Sequence, residues 1–217
     1  MIVPSTNTVA EMDFQQFTPP EVWVHTSRMY IEETTAEDER RMVTEYLPVA
    51  ARDLGTMRPD VVVFSCTSAG AVIGEDGETR LINDIGRATN APVVSTNDAV
   101  HTELETCKAS RVAVLTAYIE ELTQRIREGV ERSGFTVATA VGMGVVDPFA
   151  IAEITGEQII AFADEQLAGV EFDTIFVSCT NLPAFGVRDA LKERFGVPVV
   201  TSNQAALAAA LKVLDKR

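Results

Sequence analysis

Short β-branched runs alternate with longer segments of helical period along the whole chain, the order expected of parallel sheets covered by helices. The predicted strands are Ile2–Val3, Val22–His25, Val61–Ser65, Val93–Ser95, Val112–Thr116, Thr136–Ala140, Thr174–Ser178 and Val199–Thr201. Between the second and third, Met42, Tyr46, Leu47, Ala50 and Leu54 keep to one helical face. Thr35-Ala36-Glu37-Asp38 resembles a capping box at its start, with Asp in place of the usual Glu or Gln. Further helices are expected over Glu78–Ala88, Asp98–Cys107, Ile119–Ser133, Gly156–Ala168, Val187–Phe195 and Gln204–Leu214. Ala71–Gly77 and Gly142–Phe149 read as loops, and both are candidate lids.

The strand ends repeat. Ile2-Val3-Pro4-Ser5-Thr6-Asn7 lines up with Ala113-Val114-Leu115-Thr116-Ala117-Tyr118. In the same order, Val63-Phe64-Ser65-Cys66-Thr67-Ser68 lines up with Phe176-Val177-Ser178-Cys179-Thr180-Asn181, and Pro92-Val93-Val94-Ser95-Thr96-Asn97 with Pro198-Val199-Val200-Thr201-Ser202-Asn203. Three motif pairs at nearly constant separation predict two α/β halves related by a pseudo-twofold. The expected division is residues 1–107 with 205–217 as one half and 108–204 as the other. Ligands of open parallel sheets gather beyond the carboxyl ends of the strands, where all three pairs fall. A site between the halves, with Cys66 and Cys179 facing each other, is therefore expected.

The chemistry follows from those two cysteines. A lone cysteine at a strand end is by default a small buried hydrophobe. Here both halves place Cys between Ser and Thr, where Ala or Val would serve packing equally well. Backbone N–H groups and hydroxyls around such a strand end favour a thiolate. Two thiols flanking a small acid can take a proton from one face and return it to the other. Alternatively, one adds as a nucleophile while its partner supplies the proton. Cys107 shares a helical face with Val100 and Leu104, has no repeat partner and reads as core.

Composition narrows the partners. The chain has 217 residues, 46% of them hydrophobic, and a net charge of −14, which describes a globular protein that repels nucleic acid and anionic membrane surfaces. Three cysteines and two histidines, with His25 and His101 out of ligand spacing with any Cys, speak against a zinc site and for reduced thiols in the cytoplasm. Neither a signal peptide nor a membrane span is visible. Neither G-x-G-x-x-G nor a Walker pattern follows a strand, so a dinucleotide or phosphate-binding protein is disfavoured.

Val3-Pro4-Ser5-Thr6-Asn7-Thr8, Ser65-Cys66-Thr67-Ser68, the run from Val112 to Ile119, and Ser178-Cys179-Thr180 resemble the aspartate/glutamate racemase superfamily, specifically its maleate cis-trans isomerase and arylmalonate decarboxylase branch. The resemblance covers nearly the whole chain. It implies racemase-like halves with flavodoxin-like layers, a homo-oligomer (dimer or tetramer), and chemistry on a small carboxylic acid without cofactor or metal. Arylmalonate decarboxylases keep the second cysteine but carry glycine in place of the first, so two cysteines favour isomerisation or racemisation. By the same resemblance Cys66 is the nucleophile that adds to an olefinic carbon of maleate, and Cys179 the acid that protonates the adjacent carbon. Carboxylate recognition falls to Asn7, Thr67, Ser68, Tyr118 and Thr180. Asp147-Pro148-Phe149 departs from the isomerase pattern, which has a carboxylate-binding Asn in that loop, and would suit an amine or an apolar substituent better. The alternatives are a two-cysteine racemase or epimerase of the aspartate, glutamate or hydantoin type, an arylmalonate-type decarboxylase, and a non-catalytic small-acid binding protein.

Overall fold

A computed structural model describes residues 1–216. Among them the strands form two four-stranded, all-parallel sheets of identical topology. One has the order β2-β1-β3-β4, built from Ile2–Pro4 (β1), Ser27–Met29 (β2), Val62–Phe64 (β3) and Val93–Ser95 (β4). The other has the order β6-β5-β7-β8, built from Arg111–Thr116 (β5), Thr136–Gly142 (β6), Thr174–Ser178 (β7) and Val199–Thr201 (β8). The pseudosymmetric α/β fold expected from the motif pairs is thus present, each strand of one half having its counterpart in the other.

Ten α-helices connect and cover the sheets among the described residues, namely Val9–Phe17 (α1), Ala36–Arg41 (α2), Leu47–Gly55 (α3), Thr67–Thr89 (α4), Thr96–Thr106 (α5), Glu120–Arg132 (α6), Pro148–Ala152 (α7), Gly156–Gln166 (α8), Arg188–Phe195 (α9) and Ser202–Leu214 (α10). Alternation along the strands divides the core. Ile2, Val62 and Phe64 face α2–α4 and pack with Met42, Leu47, Leu54, Leu81 and Ile85. Val3 and Val63 face the other way, into a core shared with Phe14, Leu104 and the β5 and β7 residues of the other half. Apolar residues on both faces of a strand give a continuous hydrophobic run rather than an alternating one, which is why these strands stand out in the sequence.

Four expectations need correction. The second strand is Ser27–Met29, not Val22–His25; the pairing of Ile2 with Ser27 and Pro4 with Met29 is set by β1, and Trp23 and His25 are left exposed. Val9–Phe17 is a helix that no periodic signal marked. The helix expected at Glu78 begins at Thr67, so Ala71–Gly77 is helical rather than a loop, broken only at Gly74, whose φ of 73° is open to glycine. Gly142–Phe149 is partly ordered as well. Gly142 ends β6, Pro148 begins α7, and Met143, Gly144 and Val145 donate in turn to the carbonyls of Thr116, Tyr118 and Ala117.

Candidate active site

In each sheet the first and third strands lie side by side, and the chain leaves them toward opposite edges. Their carboxyl ends form the crevice where such sheets bind ligands. The loops after β1, β3, β5 and β7 bring Asn7, Cys66, Tyr118 and Cys179 to one place. Ser68, Thr180, Ile31, Glu39, Pro148 and Ile151 are also part of the wall of the cavity there, of about 30 Å³. Backbone contact from Thr34 N–H to the Val146 carbonyl (3.4 Å) ties the two halves together.

Both thiols are buried, but their surroundings are opposite in character. Cys66 caps the N-terminus of α4, and its Sγ donates toward the Glu39 carboxylate, 3.5 Å from Oε2. Ser68 Oγ donates to the other oxygen, Oε1, and lies 3.6 Å from the thiol. Burial and the Glu39 charge push the Cys66 thiol well above its usual range, outweighing the Ala69 amide and the Ser68 hydroxyl. Cys179 instead faces donors. Its Sγ accepts from the Asn181 N–H at 3.3 Å, and from the Leu182 amide and the Tyr118 hydroxyl. Burial still raises it to about 11, with those three donors pulling downward. Tyr118, buried against both thiols, is raised well above the usual phenol range by desolvation, then by Cys179. Cys179 also holds a φ of 148°, a conformation that a side chain disfavours and that marks strain at the site.

A second tier repeats behind the thiols and accounts for the third motif pair. Asn97 Nδ2 donates to the Thr67 carbonyl (3.3 Å) and to Glu78 Oε2 (3.0 Å). Asn203 Nδ2 does the same to the Thr180 carbonyl (3.0 Å) and Asp13 Oδ2 (2.7 Å). Each asparagine thus ties the residue after a cysteine to a buried carboxylate. The hydroxyl two positions before it caps the next helix, Ser95 for α5 and Thr201 for α10.

Residues 2–217 match the family model for arylmalonate decarboxylase. The chain belongs to the arylmalonate decarboxylase family. Among its curated relatives, the maleate isomerase of Nocardia farcinica is 25% identical over 225 residues, covering 99% of this chain and 89% of that protein. The maleate isomerase of Geobacillus stearothermophilus is also 25% identical, over 99% and 90%. In structure, a cysteine-to-serine variant of the Nocardia farcinica maleate cis-trans isomerase, solved with a covalently bound succinylcysteine intermediate, superposes with a TM-score of 0.91 at 24% identity, over 99% and 91%. These relatives bear out the expectation of an isomerase from the maleate isomerase and arylmalonate decarboxylase branch.

Within this family fold, the predicted site residues fall as follows. Cys66, Cys179, Asn7, Ser68, Tyr118 and Thr180 line the cavity. Thr67 does not; its hydroxyl turns away to Ser202 Oγ at 3.0 Å. The Asn7 side chain bridges the Thr180 hydroxyl (2.9 Å) and the Ala10 amide (2.9 Å), so it also joins the two halves. Asn181 pins the same seam, accepting from Thr8 N–H and donating to the Pro148 carbonyl. Asp147 is exposed, caps α7 and does not line the cavity, whereas Pro148 and Ile151 do. Cys107 packs at the edge of the core, away from the cavity. Among the described residues, no group of three or more His, Cys, Asp and Glu is placed to hold a metal ion, and no helix is long and apolar enough to cross a membrane.

The sequence reading missed Glu39. Its signal was present, since Glu39 lies three residues before Met42 and so falls in phase with the apolar face of that helix. A charged residue in a buried stripe invites a functional explanation. Directly after it the helix widens into a π segment, Met42–Tyr46, where the Leu47 N–H reaches back five residues to the Met42 carbonyl.

Proposed function

We propose that the chain is a cofactor-independent cis-trans isomerase of a small dicarboxylic acid, of the maleate-to-fumarate type, with Cys66 as nucleophile and Cys179 as general acid. The observation that carries this reading is the pairing of two buried thiols in one cavity, one against an acceptor and one against donors. The full-length similarity to maleate isomerases supports the substrate class.

The steps balance without an outside reagent. Cys66 loses its proton and forms a C–S bond to one olefinic carbon. The π pair moves to the neighbouring carbon, which takes the proton of Cys179. A single bond now joins the two carbons and can rotate. Return of that proton to Cys179 and cleavage of the C–S bond release the trans acid. Cys179 suits the acid role because the thiolate it leaves is met by the Asn181 and Leu182 amides and the Tyr118 hydroxyl. Asn7 and Thr180 are the neutral donors for the substrate carboxylates, the single Tyr118 hydroxyl proton being given to Cys179, and no Lys or Arg lines the cavity.

Incubation with maleate, followed by proton NMR, should give fumarate. Solvent deuterium entering the α-carbon of an amino acid, with no fumarate formed, would instead identify a racemase.

A further inference from the structure

We propose that Glu39 is the catalytic base of the reaction, taking the Cys66 thiol proton as sulfur attacks carbon and returning it when the C–S bond breaks. The proposal rests on the two-thiol reading above and adds the proton's destination, which the thiols alone do not provide.

The geometry is that of a nucleophile, a base and an orienting group. Glu39 is only 2% exposed, on the second turn-face of α2, and its side chain reaches the end of β3. One oxygen meets Cys66 Sγ at 3.5 Å; the other is held by Ser68. Such a constellation is how a weak nucleophile is activated. No cation is needed to steer the proton, because the acceptor sits on the sulfur itself. Glu39 is faced by Cys66 from the start of α4, by Tyr118 and Cys179 from beyond β5 and β7, and by Asp38 on its own helix. Arg28, on β2, is committed to the Ser5 and Asn7 carbonyls and to Glu11; on the Glu39 helix itself, Arg40 donates to the Ala36 carbonyl and Arg41 pairs with Asp38. Burial raises Glu39 to about 7, helped by the Asp38 charge and against the Ser68 and Cys66 hydrogen bonds that lower it. A base titrating near neutral pH is ionised enough to accept a proton and weak enough to return it. In the forward step S–H is exchanged for carboxyl O–H and C–S, and in the reverse step both are restored, with no net oxidation or proton loss.

The test is alkylation of Cys66 by iodoacetamide, read by peptide mapping, in the parent protein and in Glu39→Gln and Glu39→Asp. It needs no substrate, so it can fail independently of the maleate reading. A carboxylate that acted on Cys66 through charge alone would hold the thiol up, and its removal would speed alkylation. A base gives the opposite sign. At pH 7 the Gln variant should react at least about tenfold more slowly, within the usual range for losing a general base. The parent rate should level off above about pH 7, whereas the Gln rate should keep climbing. The Asp variant, with a shorter reach, should fall between them, and circular dichroism should report a native fold for all three. Alkylation of the Gln variant at the parent rate or faster at pH 7 overturns the proposal. If alkylation behaves as expected but maleate is not turned over, the substrate assignment fails and Glu39 as base stands.

Discussion

The two halves share one topology and differ in how they hold their cysteine. In the N-terminal half the strands are three residues long, and β1 and β3 pair through Ile2 and Phe64 alone. In the C-terminal half β5 and β7 pair over five positions, from Val112–Thr174 to Thr116–Ser178. Cys66 leaves its strand in relaxed extended geometry straight into a helix and points at a carboxylate. Cys179 leaves its strand strained, enters a turn and points at amides and a phenol. The better-paired sheet thus carries the strained thiol. The repeated motifs supply the frame twice, and what each thiol meets makes the two sulfurs inequivalent, one against a carboxylate acceptor and one against amide and phenol donors.

Breaking the C-terminal side should have the largest effect on the frame. A Cβ on Gly142 would lie 2.2 Å from the Tyr118 carbonyl and 2.4 Å from Thr123 Oγ1, both of which are packed. Gly142→Ala should therefore displace the Tyr118 loop, cost on the order of 2–3 kcal/mol in denaturant unfolding, and lower turnover with it.

On the N-terminal side, the Glu39 carboxylate should cost stability. Its folded pKa of about 7 lies above the ordinary 4.5, so the folded state binds the proton more tightly. Stability is favoured below pH 4.5, declines as pH rises to 7, and carries the whole penalty beyond. Glu39→Gln should raise stability by about 3 kcal/mol at pH 8 and leave it nearly unchanged at pH 4, in urea melts at the two pH values. Gain of stability with loss of reactivity is the sign of a group kept for chemistry.

A smaller contrast sits in the second tier. Glu78 keeps the Ser95 hydroxyl when Asn97 is lost, whereas Asp13 relies on Asn203. Asn203→Ala should cost about 2 kcal/mol and Asn97→Ala about 1 kcal/mol, measured by the same unfolding.

The fold was legible because doubly buried strands write continuous apolar runs and because the motif pairs recur in order. What escaped was set by contacts distant in sequence. Ser27–Met29 is polar at two of three positions, and is a strand because β1 offers it an edge. Val9–Phe17 has little apolar periodicity, and its start is fixed by Asn7 and by Asn181 from the other half. The thiol pair was legible for the same reason as the repeat. Glu39 was marked only by its phase with the apolar face of its helix, since no counterpart repeats it and its partner Cys66 lies 27 residues away in sequence. Thr67 begins α4, and its hydroxyl is turned toward Ser202, a contact 135 residues away in sequence.

The inequivalence of the thiols is tested most directly by incubating Cys66→Ser and Cys179→Ser separately with maleate and mapping the adduct by mass spectrometry. A covalent adduct on Cys66 is expected in the Cys179→Ser protein, and no adduct in the Cys66→Ser protein. An adduct on Cys179 in the latter, with Cys66 unmodified in the former, would contradict this expectation.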